Sequence, residues 1–145
     1  MNRISKPIII FMKNLSLLFL TLVTSLSIAQ TKKQIQAKDI QQLDTIYQHC
    51  LNKGENMYGC TVTYYNLLDS CLNVAYKQLH NKLGKTQQLS LKQEELDWLK
   101  TRDQKFKAID KNNSYPGQDG EMMKQNQKDA IVKERVLQLI KKLAN

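Results

Sequence analysis

Hydrophobic positions along this chain follow two unlike patterns. From Leu15 to Ile28 the sequence is an apolar run broken only by Ser and Thr; beyond Asp39, apolar residues recur every three or four positions. The second pattern is helical. Ile40, Leu43, Ile46 and Tyr47, followed by Cys50 and Leu51, predict a short amphipathic helix over 39–51. Asn52-Lys53-Gly54 should stop it, and Gly59 should add a second bend. From Cys60 to Leu83 one face carries Tyr64, Leu68, Cys71/Leu72, Ala75/Tyr76, Leu79 and Leu83. Gly84 is placed to end that helix in the left-handed conformation of a C-terminal cap. A third helix should begin near Thr86 or Ser90, where Ser90 and Gln93 resemble a capping box. Its apolar face reads Leu89, Leu96, Leu99, Phe106 and Ile109, with Trp98 on the flank. Asn112 to Gly120 holds Asn-Asn-Ser, Pro116, Gly117 and Gly120 and predicts a loop open to proteolysis. The last helix, Glu121 to Leu143, should turn Met123, Ala130, Val136, Leu137, Ile140 and Leu143 inward. Thr61 to Tyr65 is the one β-prone stretch, and it continues directly into helical spacing.

These spacings predict an all-α chain: a small bundle of three main helices plus a short N-terminal one, over residues 39–145. Residues 30–38 are polar and Lys/Gln-rich and read as a flexible, frayed leader.

The first pattern has another meaning. A basic start, a short apolar core and Ser27-Ile28-Ala29, with small residues at the −3 and −1 positions, match a secretory signal over residues 1–29. The stretch from Met12 is a complete signal by itself, so either Met12 is the start or the first eleven residues extend the basic region. A retained anchor is the alternative, but its uninterrupted apolar length falls short of the ~20 residues a spanning helix needs. No cysteine sits at the exit to take a lipid. The expected location is therefore exported, periplasmic or secreted, with membrane contact only through the signal before cleavage.

Charge changes the picture modestly. The chain has 22 basic and 13 acidic residues; less Arg3, Lys6 and Lys13, the mature part keeps 19 against 13, a net +6. The excess is spread out, with Lys32-Lys33 and Lys141-Lys142 as adjacent pairs. It fits a solvated basic surface, or attraction to an anionic cell-wall polymer or lipid headgroup. No nucleic-acid partner is expected.

Cys50, Cys60 and Cys71 all lie in the mature part, where export makes them disulfide candidates. Cys60 and Cys71 are eleven residues apart on one helix, roughly 16 Å along its axis. That exceeds the Cα limit of about 7 Å for a bridge. Cys50 and Cys60 flank a Gly-containing turn, so a Cys50–Cys60 disulfide is expected. Its loop should contribute about 2–3 kcal/mol in the chain-entropy model. Cys71 is left as a free thiol beside Leu68 and Ala75, or as one half of an intermolecular bridge.

Catalytic chemistry has little to stand on. His49 and His80 are the two histidines, and His80, beside Leu79, should be exposed. No CxxC or HxxxH spacing suggests a metal, and no Gly-rich phosphate loop suggests a nucleotide. Glu94, Glu95 and Asp97 mix with Lys92 and Lys100 like ordinary helix-surface pairs. No cofactor and no enzyme activity are expected. Trp98 and Arg102 lie one turn apart, so the guanidinium can stack along the indole. This reads as a clamp between helices or as part of a binding face.

Taken in order, several residues form a pattern. Cys50 and Cys60 are followed by Asp69-Ser70-Cys71-Leu72-Asn73-Val74-Ala75-Tyr76, then Trp98-Leu99-Lys100-Thr101-Arg102-Asp103, then Arg135. This order resembles the lysozyme inhibitor LprI N-terminal domain family, over roughly residues 45–143. That family shows two early cysteines, an acidic residue before Leu-Asn-x-x-Tyr, a later Trp-x-x-x-Arg-Asp, and an Arg in the last helix. The sequence departs from it in places. Phe106 and about Gln127 stand where many members carry a second cysteine pair, Val132 replaces a common Thr, and Cys71 is outside the pattern. The resemblance implies a non-catalytic binding protein of the bacterial envelope, with lysozyme or another envelope protein as partner. Asp69, Leu72, Asn73, Tyr76, Trp98, Arg102, Asp103 and Arg135 are its signature, read here as structural. The alternative function is a basic module that binds anionic cell-wall polymer or lipid headgroups.

Overall fold

A computed structural model describes residues 33–112 and 116–145. The signal reading of residues 1–29 and leader positions 30–32 lie outside the described residues. Four helices follow one another among those described: α1 (Ala37–Asn52), α2 (Met57–Lys82), α3 (Lys85–Asp110) and α4 (Gly117–Ala144). One short helix and three long ones are what the spacing predicts. No helix among the described residues is long and apolar enough to cross a membrane.

The core is the interface of α2 with α4. Tyr64, Leu68, Leu72, Ala75 and Leu79 of α2 are buried against Val132, Val136, Leu139, Ile140 and Leu143 of α4. Both stripes step by three or four residues, the spacing of a single helix face. Between them the chain returns along α3, roughly 40 Å for its 26 residues. Hence α2 and α4 run parallel. Tyr64 and Asp129 border one groove, and a helix length away Lys82 Nζ donates to the Leu143 carbonyl at 2.9 Å. α1 lies antiparallel to both.

Residues 34–38 do not fray. Ile35 is buried in the core, and its N–H donates to Gln78 Oε1 at 2.9 Å. Gln34 Nε2 reaches the Leu143 carbonyl at 3.4 Å. The Gln36 N–H donates to the Asp39 carboxylate at 2.8 Å, which caps α1. A single apolar residue in a polar stretch anchors it. Ile46, expected inward, is exposed on α1.

The α1–α2 turn uses Gly54 at φ +70° and Asn56 at φ 45°. Cys50 and Cys60 are joined across it, with Cα atoms 5.9 Å apart. Gly59 makes no second bend: it lies within α2, where Asn56 Oδ1 accepts its N–H at 3.1 Å. A Cβ on Gly59 would meet Asn56 Nδ2 at 2.3 Å, so glycine leaves room for this cap. Gly84 is not a left-handed C-cap either. Leu83 ends α2 in extended conformation, and Gly84, at φ −74°, precedes α3. α3 therefore starts at Lys85, and Ser90 and Gln93 are interior to it. Gln87 Oε1 accepts the Gly84 N–H at 3.3 Å, and Gln88 Nε2 ties the corner to the His80 and Leu83 carbonyls.

α3 is the helix whose inner face departs most from the expected one. Leu89 and Leu96 are 70% and 51% exposed, and Leu91 is its one buried residue. α3 shares only a narrow interface with α4. At about 100° per residue, Leu91, Glu95, Trp98, Arg102, Phe106 and Ile109 form the covered stripe, and Leu89 and Leu96 lie opposite. On α4, Met123, Ala130 and Leu137 are exposed, whereas Asp129 and Arg135 are buried. α4 begins at Gly117, so the expected 112–120 loop is shorter by one helical turn; residues 113–115 lie outside the described residues.

Candidate functional site

The signature residues divide between two places. On α2, Leu72 is buried, and Asn73 Nδ2 donates to the Asp69 carbonyl at 2.9 Å and to its carboxylate at 3.2 Å. This is a pair one turn apart on an exposed helix surface. Tyr76 packs on the core edge, its ring 6.0 Å from that of His80, which is half-buried rather than exposed.

The other four meet where α3 crosses α4. Arg102 lies 5.5 Å from the Trp98 ring centre and 5.6 Å from that of Phe106. Its guanidinium also donates to Asp103 Oδ1 through Nε and Nη2, at 2.9 and 2.7 Å. Arg135, 4% exposed, lies 5.6 Å from the same indole. Arg135 Nη2 and Nε donate to Glu95 Oε2 at 2.6 and 3.1 Å, and Nη1 donates to Glu94 Oε1 at 2.8 Å. Lys142 Nζ closes the group on both Glu94 oxygens at 2.6 Å. Glu94 and Glu95 thus pair across helices, not with Lys92 and Lys100. Burial lowers the affinity of Arg135 for its proton, but both glutamates outweigh it and hold the guanidinium firmly charged. Burial also raises the Glu94 carboxyl, and Lys142 and Arg135 reverse this and hold it below its ordinary range. The Arg135 guanidinium is paired on both glutamates of α3, which suits a clamp that fixes α3 on α4.

A second cluster, absent from the signature, lines a groove of about 510 Å³ between α1, α2 and α4. Tyr47 of α1 and Tyr64 of α2 stack, with ring centres 4.5 Å apart and planes at 12°. The Tyr64 hydroxyl donates to Asp44 Oδ1, and Lys133 Nζ donates to both Asp44 oxygens at 2.8 Å. The Tyr47 hydroxyl donates to Asn126 Oδ1 at 2.7 Å. Burial, with the neighbouring charge of Asp129, raises the Tyr47 phenol; burial with Asp44 raises Tyr64 further. Asp129 completes the lining at 3% exposure, and burial pushes its carboxyl up to about 6. One sequence signal marks this position. Asp129 precedes Val132 and Val136 by three and seven residues, so a charge interrupts the apolar stripe of α4.

Cys71 is the free thiol among the described residues, packed at the core edge. Burial, and then the charge of Asp39, push its pKa up, which makes it unreactive. No set of three or more His, Cys, Asp or Glu placed to hold a metal occurs among the described residues.

Comparison with known proteins completes the picture. Searches of curated proteins and of solved structures find no match. The family model described as lysozyme inhibitor LprI matches residues 50–139. The matched span runs from the disulfide through the Trp98–Arg102–Arg135 clamp to the core of α4. With most of its length matched in this way, the chain belongs to the lysozyme inhibitor LprI family.

Proposed function

We propose that this protein is an exported, non-catalytic binder of the bacterial envelope that acts on lysozyme or another envelope protein. The carrying observation is the family match over residues 50–139. A Cys50–Cys60 disulfide suits an oxidising compartment, and the N-terminal signal supplies the route. Cleavage after Ala29 is part of the proposal. The signature residues serve the fold: Arg135 and Trp98 clamp α3 to α4, and Leu72 fills the core.

A net charge of +6 in the mature part favours a second reading, the binding of anionic cell-wall polymer or lipid headgroups. Salt separates the two. Calorimetric titration into lysozyme and into a soluble anionic wall polymer, at low and physiological salt, is the direct test. A packed protein interface keeps most of its affinity, whereas polymer binding weakens steeply with ionic strength. Affinity for the polymer alone would replace the first reading with the second.

A further inference from the structure

In the α1–α2–α4 groove Lys133 and Tyr64 are engaged on Asp44, and the Tyr47 hydroxyl is engaged on Asn126. One strong acceptor is not. Gln125 Nε2 donates to Asp129 Oδ1 at 2.9 Å, while Oδ2 has no hydrogen-bond partner among the described residues. A buried carboxylate oxygen without a donor is unfavourable and calls for one. The charges agree. Asp44 and Lys133 cancel, so an ionised Asp129 leaves the groove with one net negative charge within a basic protein. The Tyr47–Tyr64 stack on the groove wall adds an aromatic quadrupole, whose open face attracts cations.

We propose that this groove binds an organic cation, an alkylammonium or guanidinium group, with Asp129 as its counter-charge and the Tyr47–Tyr64 stack as its wall. An anion would meet Asp129, and a neutral acceptor would leave Oδ2 unsatisfied. Two sources carry such a cation: a lysine or arginine side chain of a protein, and a free polyamine. The site does not depend on lysozyme being the partner.

The test is an NMR titration of the isotope-labelled protein with n-butylammonium, and with butyrate as the anionic control. Saturable shifts at Tyr47, Tyr64 and Asn126 are expected with the amine and none with butyrate. Asp129→Asn keeps the shape and should weaken binding at least about tenfold. Lys133→Met removes the positive charge and should strengthen binding several-fold, an effect that a purely structural lysine would not produce. Acidification through about pH 6 should weaken binding as Asp129 takes up a proton; Tyr47, Tyr64, Asp44 and Lys133 are the other groups that line the groove. Parallel titrations with spermidine and with a Gly-Lys-Gly peptide distinguish a free polyamine from a protein side chain by which binds more tightly. Absence of shifts at the groove residues, or equal binding by Asp129→Asn, would overturn the proposal.

Discussion

Arg135 Nη2 lies 2.6 Å from Glu95 Oε2, with the arginine side chain 4% and the glutamate side chain 13% exposed. This near-buried ion pair joins α4 to the sparsely packed α3. Removing one partner of such a pair leaves a charge uncompensated in a poorly solvated place. Arg135→Ala should therefore lower stability by about 3–5 kcal/mol. Replacing Arg135 and Glu95 together by leucine should lose much less. Urea unfolding of both variants, followed by circular dichroism, checks the difference.

Asp129 gives the opposite sign. Its folded carboxyl, at about 6, stands above the unfolded value of about 3.9. Between those values the folded chain holds a proton that the unfolded chain has released. This contribution to stability is complete below about pH 4, is lost as pH rises through about 6, and stays lost above it. Asp129→Asn should therefore stabilise the protein at neutral pH, on the order of 2 kcal/mol, with no gain near pH 3. Thermal melts across that range measure it. A group that destabilises the fold at working pH and lines a groove is consistent with a binding role.

The Cys50–Cys60 bridge fastens α1, which shares a smaller interface with the rest than α2 and α4 share with each other. Replacing both cysteines by alanine should lower stability by about 2–3 kcal/mol. Hydrogen exchange should accelerate first in α1 and the 53–56 turn, while the α2–α4 core stays protected.

Cys71 should resist modification. Burial raises its pKa, so little thiolate is present at neutral pH. Iodoacetamide labelling followed by mass spectrometry should show slow addition in buffer and rapid addition of one group in denaturant. Rapid native labelling would contradict the packing of this residue.

Legibility in the sequence followed how each helix is covered. α2 could be read because its apolar stripe from Tyr64 to Leu79 is covered along its whole length. α3 could not. Leu89 and Leu96 make a good helical repeat, but the covered face is the one with Leu91, Glu95 and Arg102, where Glu95 is paired across helices with Arg135. Periodicity locates a stripe without saying which stripe meets a neighbour. Gly59 supplies room for the Asn56 cap rather than a bend, and Gly84, at φ −74° with space for a Cβ, uses neither property of glycine, so only geometry separates these cases. The Trp98–Arg102 contact was local and therefore readable. The Asp44–Tyr64–Lys133 group was not, since it joins three helices. Asp129 alone left a mark, as a carboxylate on an apolar stripe.

Inhibition by binding is the core of the proposed function. The most direct test is hydrolysis of bacterial cell walls by lysozyme, titrated with purified protein beginning at Gln30, at physiological salt. An inhibitor gives a saturable loss of activity that reaches its end near a fixed stoichiometric ratio. Unchanged hydrolysis at excess protein, or loss of activity confined to low salt, would contradict it.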